Sequence, residues 1–123
     1  MKIIMSIKPI YADKIFKGAK RFEYRRSIFK DNSVKKVIVY SSSPVCRIIG
    51  HFTIDHIIHD SPEAIWQLTN NFSGIVKSDF DLYFKNKSLG YALVISEPFL
   101  YPLDLPLISM YNSRPPQSFA YIS

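Results

Sequence analysis

Val37-Ile38-Val39-Tyr40, ended by Ser41-Ser42-Ser43-Pro44, is followed at once by the alternating run Arg47-Ile48-Ile49-Gly50-His51-Phe52-Thr53-Ile54-Asp55-His56-Ile57-Ile58. The first stretch is continuously apolar, which suits a strand buried on both faces. The second puts Ile48, Phe52 and Ile54 on one face and Arg47, Thr53 and Asp55 on the other, the pattern of a long half-buried strand. No helix fits between them, so this pair is expected to be antiparallel rather than a parallel crossover unit.

Working toward the N-terminus, Lys20 to Arg26 alternates strongly, with Phe22 and Tyr24 on one face and Arg21, Glu23 and Arg25 on the other. Before it, Pro9 suits a first helical turn, and Tyr11/Ile15 and Ala12/Phe16 give a helix over about 9–17 one apolar face. Gly18 supplies the stop, and residues 2–7 read as a short first strand. Toward the C-terminus, Asp60-Ser61-Pro62-Glu63 starts a second helix reaching about Asn70. Ser78 is expected to cap a third, with Asp79 and Asp81 near the positive end of its dipole. Gly90 to Ser96 reads as a strand, after which Pro98, Pro102 and Pro106 are expected to interrupt any ladder. Phe119 to Ile122 closes the series. The expected class is α+β: a small mixed or antiparallel barrel of five to six strands, which removes its own edges, with two to three helices outside.

The chain is 123 residues long, one domain over 1–123, with 47% apolar and 21% charged residues. That composition excludes disorder along the whole chain. No apolar run approaches the ~20 residues of a membrane span, and the N-terminal apolar stretch is too short for a signal-peptide core. One cysteine, Cys46, allows no intrachain disulfide; it is expected to be a small buried side chain. His51, His56 and His59 show no zinc spacing, so no metal and no cofactor are expected, and Trp66 is assigned to the core. A soluble cytoplasmic protein is the plain expectation.

Charge is distributed unevenly. The chain carries a formal +6, yet the first 36 residues hold eleven Lys and Arg against three Asp and Glu, or +8. A concentrated positive field attracts polyanions, nucleic acid above all.

Ser6-Ile7-Lys8-Pro9, followed by a helix and then Gly18-Ala19-Lys20-Arg21-Phe22-Glu23-Tyr24-Arg25-Arg26, resembles the opening of the ASCH domain, a family of the PUA-like superfamily. The resemblance runs on through Val37 to Pro44, Ile49-Gly50-His51-Phe52, Ser61-Pro62-Glu63 and Gly90-Tyr91-Ala92, and ends in Pro115-Pro116-Gln117-Ser118-Phe119. It implies a barrel with a cleft between strands and helices that takes RNA or a nucleotide, DNA being the other polyanion to consider, and no membrane partner. Relatives are described as predicted transcription regulators or RNA-binding modules linked to translation. One branch deacylates a modified cytidine, and another cleaves single-stranded RNA.

On that resemblance, Lys8, Lys20, Arg25 and Arg26 would hold phosphate, Tyr40 would stack a base, and Glu23, Ser42, Ser43, Gln117 and Ser118 would read base edges. If the domain is an enzyme, a low-turnover hydrolase, Lys20 and Glu23 would form its acid–base pair. In the deacylating branch the position three residues after the motif lysine is a threonine nucleophile. Here it is Glu23, and a carboxylate cannot take over that hydroxyl's role without a change of mechanism.

Overall fold

The computed structural model describes residues 1–122. Its elements are β1 (Lys2–Ile7), α1 (Pro9–Phe16), β2 (Phe22–Arg25), β3 (Lys36–Ser41), β4 (Arg47–Asp60), α2 (Pro62–Thr69), α3 (Lys77–Tyr83), β5 (Gly90–Leu105) and β6 (Phe119–Ile122). Short 3-10 turns at Asn70–Phe72 and Leu107–Ser109 complete the list. The six strands form one sheet in the order β2-β5-β4-β3-β1-β6. β1 and β3 run parallel and every other pair is antiparallel, so the expected mixed α+β sheet is observed.

The sheet curls into a half-barrel and does not close by backbone pairing, because β2 and β6 remain its two edges. Other groups bridge the seam. Arg25 donates from its guanidinium to Ser118 Oγ. The Lys30 and Asp31 amides both donate to Tyr121 Oη, at 3.0 and 3.2 Å. Phe29 meets Phe119 edge-on, with ring centroids 5.9 Å apart.

β1 and β3 are buried on both faces, as the run Val37 to Tyr40 required. Ile3, Met5, Ile7, Val37, Val39 and Phe52 pack against Ala12 and Ile15 of α1. On the other face Ile4, Ile38, Tyr40 and Ile48 are covered by Tyr101, Leu105 and Leu107. A third cluster joins Tyr24 and Ala92 of the sheet to Ile65 of α2 and to Phe80 and Phe84 at α3. Phe52 is wholly enclosed. Phe52→Ala is therefore expected to cost about 3–5 kcal/mol in a urea denaturation measurement.

Local signals explain most boundaries. Ser61 Oγ accepts the Ala64 amide and starts α2, and Gly18 leaves α1 in the left-handed region at φ +82°. Two expectations fail. Ser78 does not cap α3: the Val76 carbonyl already accepts the Phe80 amide, and burial of Phe80 and Phe84 sets the helix register. The prolines do not end β5 at Ser96. Beyond Val94 the strand has β4 alone as neighbour, so Pro98 and Pro102 lie where the missing donors do not break a ladder on both sides. Register shifts in the β4–β5 pairing and a positive φ at Glu97 absorb the irregularity. No helix among the described residues is long and apolar enough to cross a membrane.

Candidate functional site

β1 and β3 end side by side, Ile7 beside Ser41, and the chain leaves them in two directions. Lys8 leads into α1, whose first residue is Pro9. Ser42 begins a turn tied back by its amide to the Ile7 carbonyl at 3.0 Å. Pro115 to Ser118 crosses the same end, held by Ser6 Oγ donating to the Pro116 carbonyl at 2.6 Å. β2 and α3 form the far wall. Between these walls lies a cavity of about 870 Å³.

Eight of the ten residues expected at the site line this cavity: Lys8, Lys20, Glu23, Arg25, Tyr40, Ser42, Ser43 and Gln117. Ser118 is not in the lining but holds Arg25, which is. Arg26 departs from the group. Consecutive strand residues point to opposite faces, and its guanidinium instead binds the Tyr83 and Lys85 carbonyls at 2.8 and 3.0 Å.

Lys20 is the most constrained member. It is 3% exposed, and its amine donates to the Ser73 carbonyl at 2.8 Å. The amine sits over the Tyr24 ring, 4.6 Å from the centroid, and 5.3 Å from that of Tyr11. Burial lowers its pKa to about 8, against the opposing pull of the Glu23 charge; Lys14 lowers it further. Gly74, at φ +67°, packs directly on the lysine stem: a Cβ there would lie 2.5 Å from Lys20 Cβ. Glu23 is itself buried, and Arg25 donates to its Oε2 at 3.2 Å.

Tyrosines make up much of the remaining wall. Tyr24 Oη lies 2.7 Å from Thr69 Oγ1, whose own proton goes to the Ile65 carbonyl, so Tyr24 is the donor. Burial pushes the Tyr24 hydroxyl up to about 12. Burial, then the neighbouring Cys46 thiol, also raises Tyr40, so both phenols stay protonated at neutral pH. Tyr11, Tyr24, Asp79 and Tyr83 join the lining although the sequence reading did not select them. The sequence signal for Tyr11 was present, four residues before Ile15, but it pointed to packing alone. Cys46 corrects another expectation. It is exposed at the cavity, on a turn with φ +55°, because the Ser42–Pro44 bend turns it away from the core.

Electrostatically the cavity is less basic than the chain's first 36 residues suggest. Its walls carry Lys8, Lys20 and Arg25 against Glu23 and Asp79. Other early cations are occupied elsewhere. Lys17 pairs with Asp13 at 2.7 Å, Lys14 donates to the Gly74 carbonyl at 3.2 Å, and Arg21 lies 4.0 Å over the Phe72 ring. The early lysines and arginines therefore converge only in part. The cavity combines a few directed donors and acceptors with aromatic walls, an arrangement suited to one nucleotide-sized group.

No family model matches the sequence. The chain is 28% identical over 123 residues to the large ribosomal subunit protein uL22 of Ureaplasma parvum, covering 98% of this chain but 39% of that protein. It thus spans about two fifths of the length of that relative. It is 24% identical to an ASCH domain-containing ribonuclease of Zymomonas mobilis, covering 97% of this chain and 82% of that protein. The crystal structure of ASCH from Zymomonas mobilis superposes with a TM-score of 0.90 at 20% identity, over 99% of this chain and 87% of that one. The half-barrel, its flanking helices and the order of its strands are those of an ASCH protein, and the resemblance read in the sequence holds from β1 to β6: this chain has the ASCH fold.

Proposed function

We propose that this domain binds RNA, taking a nucleotide-sized part of it into the cavity at the ends of β1 and β3. One observation carries the reading: residues far apart in sequence, Lys8, Lys20, Glu23, Arg25, Tyr40 and Gln117, line a single hollow of about 870 Å³. In it Lys8 and Arg25 meet phosphate, the tyrosine walls stack a base, and Glu23 and Gln117 accept and donate at its edge. One relative is named a ribonuclease and another a large ribosomal subunit protein, and both names point to RNA.

Lys8 gives the cleanest test. It is exposed and lines the cavity, and its replacement removes no buried partner. Lys8→Ala is expected to weaken binding of a single-stranded RNA and to lower the slope of log K against log salt by about 0.7. An unchanged slope in a fluorescence-anisotropy salt series argues against the cavity as the RNA site.

A second reading, cleavage of single-stranded RNA, is favoured by the lowered pKa of Lys20. With a pKa of about 8, roughly a tenth of the amine is neutral at pH 7 and able to accept a proton. In this scheme the neutral amine takes the proton of a ribose 2′-hydroxyl as that oxygen bonds to the adjacent phosphorus. The bond from phosphorus to the 5′ oxygen breaks, and the Tyr40 hydroxyl supplies the leaving oxygen's proton. Arg25 faces the charge that grows on phosphate. The products are a 2′,3′-cyclic phosphate end and a free 5′-hydroxyl, both identifiable by mass spectrometry after incubation with an oligoribonucleotide. Their absence limits the domain to binding.

A further inference from the structure

The cations that the cavity does not use are not scattered. Lys2 and Lys36 occupy directly paired positions at the starts of β1 and β3, one strand spacing apart and on the same face of the sheet. Lys35 precedes Lys36, its amide bonded to the Met1 carbonyl at 3.4 Å. Lys30 is brought to the same end by its amide's bond to Tyr121, which pairs with Ile3. Among the described residues, none of these four amines donates a hydrogen bond or forms an ion pair. Most other early cations have a partner, as described above. One nearby carboxylate, Asp31, is taken up by the amide and hydroxyl of Ser33.

Like charges at paired strand positions destabilise a sheet, so the Lys2/Lys36 pair works against folding. The same face continues into aromatic groups. Thr53 pairs with Lys36, and two positions along β4 lies His51, bonded to Tyr101 Oη at 2.8 Å and tilted against Phe99 at 5.5 Å. Phe99 is 51% exposed. Unpaired amines at one end of a sheet face that also carries an exposed ring suit a phosphate backbone with unstacked bases.

We propose that Lys2, Lys30, Lys35 and Lys36, at the end of the half-barrel opposite the cavity, form a second RNA contact that continues along the sheet to Phe99. The two sites lie about 16 Å apart, the length of the six-residue strands β1 and β3 that join them. Only a strand of several nucleotides reaches both. This inference rests on the RNA reading of the cavity, and the domain thereby selects polymer over nucleotide.

The test uses a 20-nucleotide single-stranded RNA, a mononucleotide and vesicles containing phosphatidylserine. In a variant carrying Lys2→Gln, Lys30→Gln, Lys35→Gln and Lys36→Gln, the salt slope for the 20-mer is expected to fall by about 2–3. Mononucleotide binding is expected to stay as in the parent, and the melting temperature to hold or rise because the like-charge pair is gone. Phe99→Ala is expected to weaken the 20-mer severalfold without changing the slope. An unchanged 20-mer slope in the four-lysine variant overturns the proposal. So does loss of vesicle binding with 20-mer binding intact, which reassigns the patch to an anionic membrane. If Lys8→Ala leaves all RNA binding unaltered while the four-lysine variant abolishes it, the cavity reading fails and this contact stands alone.

Discussion

Replacing Lys20 with methionine is expected to make the domain more stable while weakening the RNA binding proposed above. The amine is 3% exposed, and burial holds its pKa at about 8 in place of 10.5. The unfolded chain therefore binds the proton more tightly, and folding carries a penalty of about 3 kcal/mol at neutral pH. Methionine keeps most of the stem that packs under Gly74 but carries no charge. The Ser73 carbonyl loses its donor, which returns about 1 kcal/mol of the gain. The net expectation is a variant roughly 2 kcal/mol more stable in urea at pH 7.

The sign with pH follows. Below pH 8 the penalty is constant. Between pH 8 and 10.5 the folded protein has released the proton that the unfolded chain still holds, so the parent's stability rises and the gap to Lys20→Met closes. RNA affinity moves oppositely, falling as pH passes 8 and the ammonium is lost. A charge-assisted bond of this kind contributes about 1.5–3 kcal/mol, so affinity should fall at least tenfold in the methionine variant. A variant that is less stable than the parent, or that binds RNA as tightly, would refute this account of Lys20.

The second large effect is expected at Gly74. An alanine there must adopt φ +67° and place its Cβ 2.5, 2.6 and 2.9 Å from Cβ, Cγ and Cδ of Lys20. Left-handed backbone costs a residue with a side chain about 1–2 kcal/mol, and overpacking adds about 1–3. Gly74→Ala should therefore destabilise by about 2–5 kcal/mol and push the lysine off the Ser73 carbonyl. Shortening Lys20 to alanine removes two of the three close contacts. The double variant should therefore recover at least about 1 kcal/mol relative to the sum of the singles. Additive losses in a denaturation cycle would show that the glycine serves its own turn and does not hold the lysine.

The sequence revealed the frame of the fold more readily than the site's chemistry. Val37 to Tyr40 could only be a strand buried twice over, and it is. Ser61 and Gly18 act within a turn of their own position, so their roles could be read locally. Pro98 and Pro102 misled because a proline's cost depends on whether a neighbouring strand needs its donor, and that neighbour is set by topology. Eight of the ten expected site residues share the cavity, since the motif holding Lys20, Glu23 and Arg25 and the Gln117 tail are both short. Arg26 and the charge sum were less informative. Whether a cation faces a cleft, caps a helix with its guanidinium or stands unpaired depends on contacts across fifty residues or more.

The bond from Ser6 to the Pro116 carbonyl joins positions 110 residues apart and fixes the cavity's last wall. A tie between positions so distant closes a very long loop, so the wall is expected to dock after β1 has paired with β3. A chain cut before Pro115 would keep the strands β1 to β5 but lose that wall, and Gln117 and Ser118 with it.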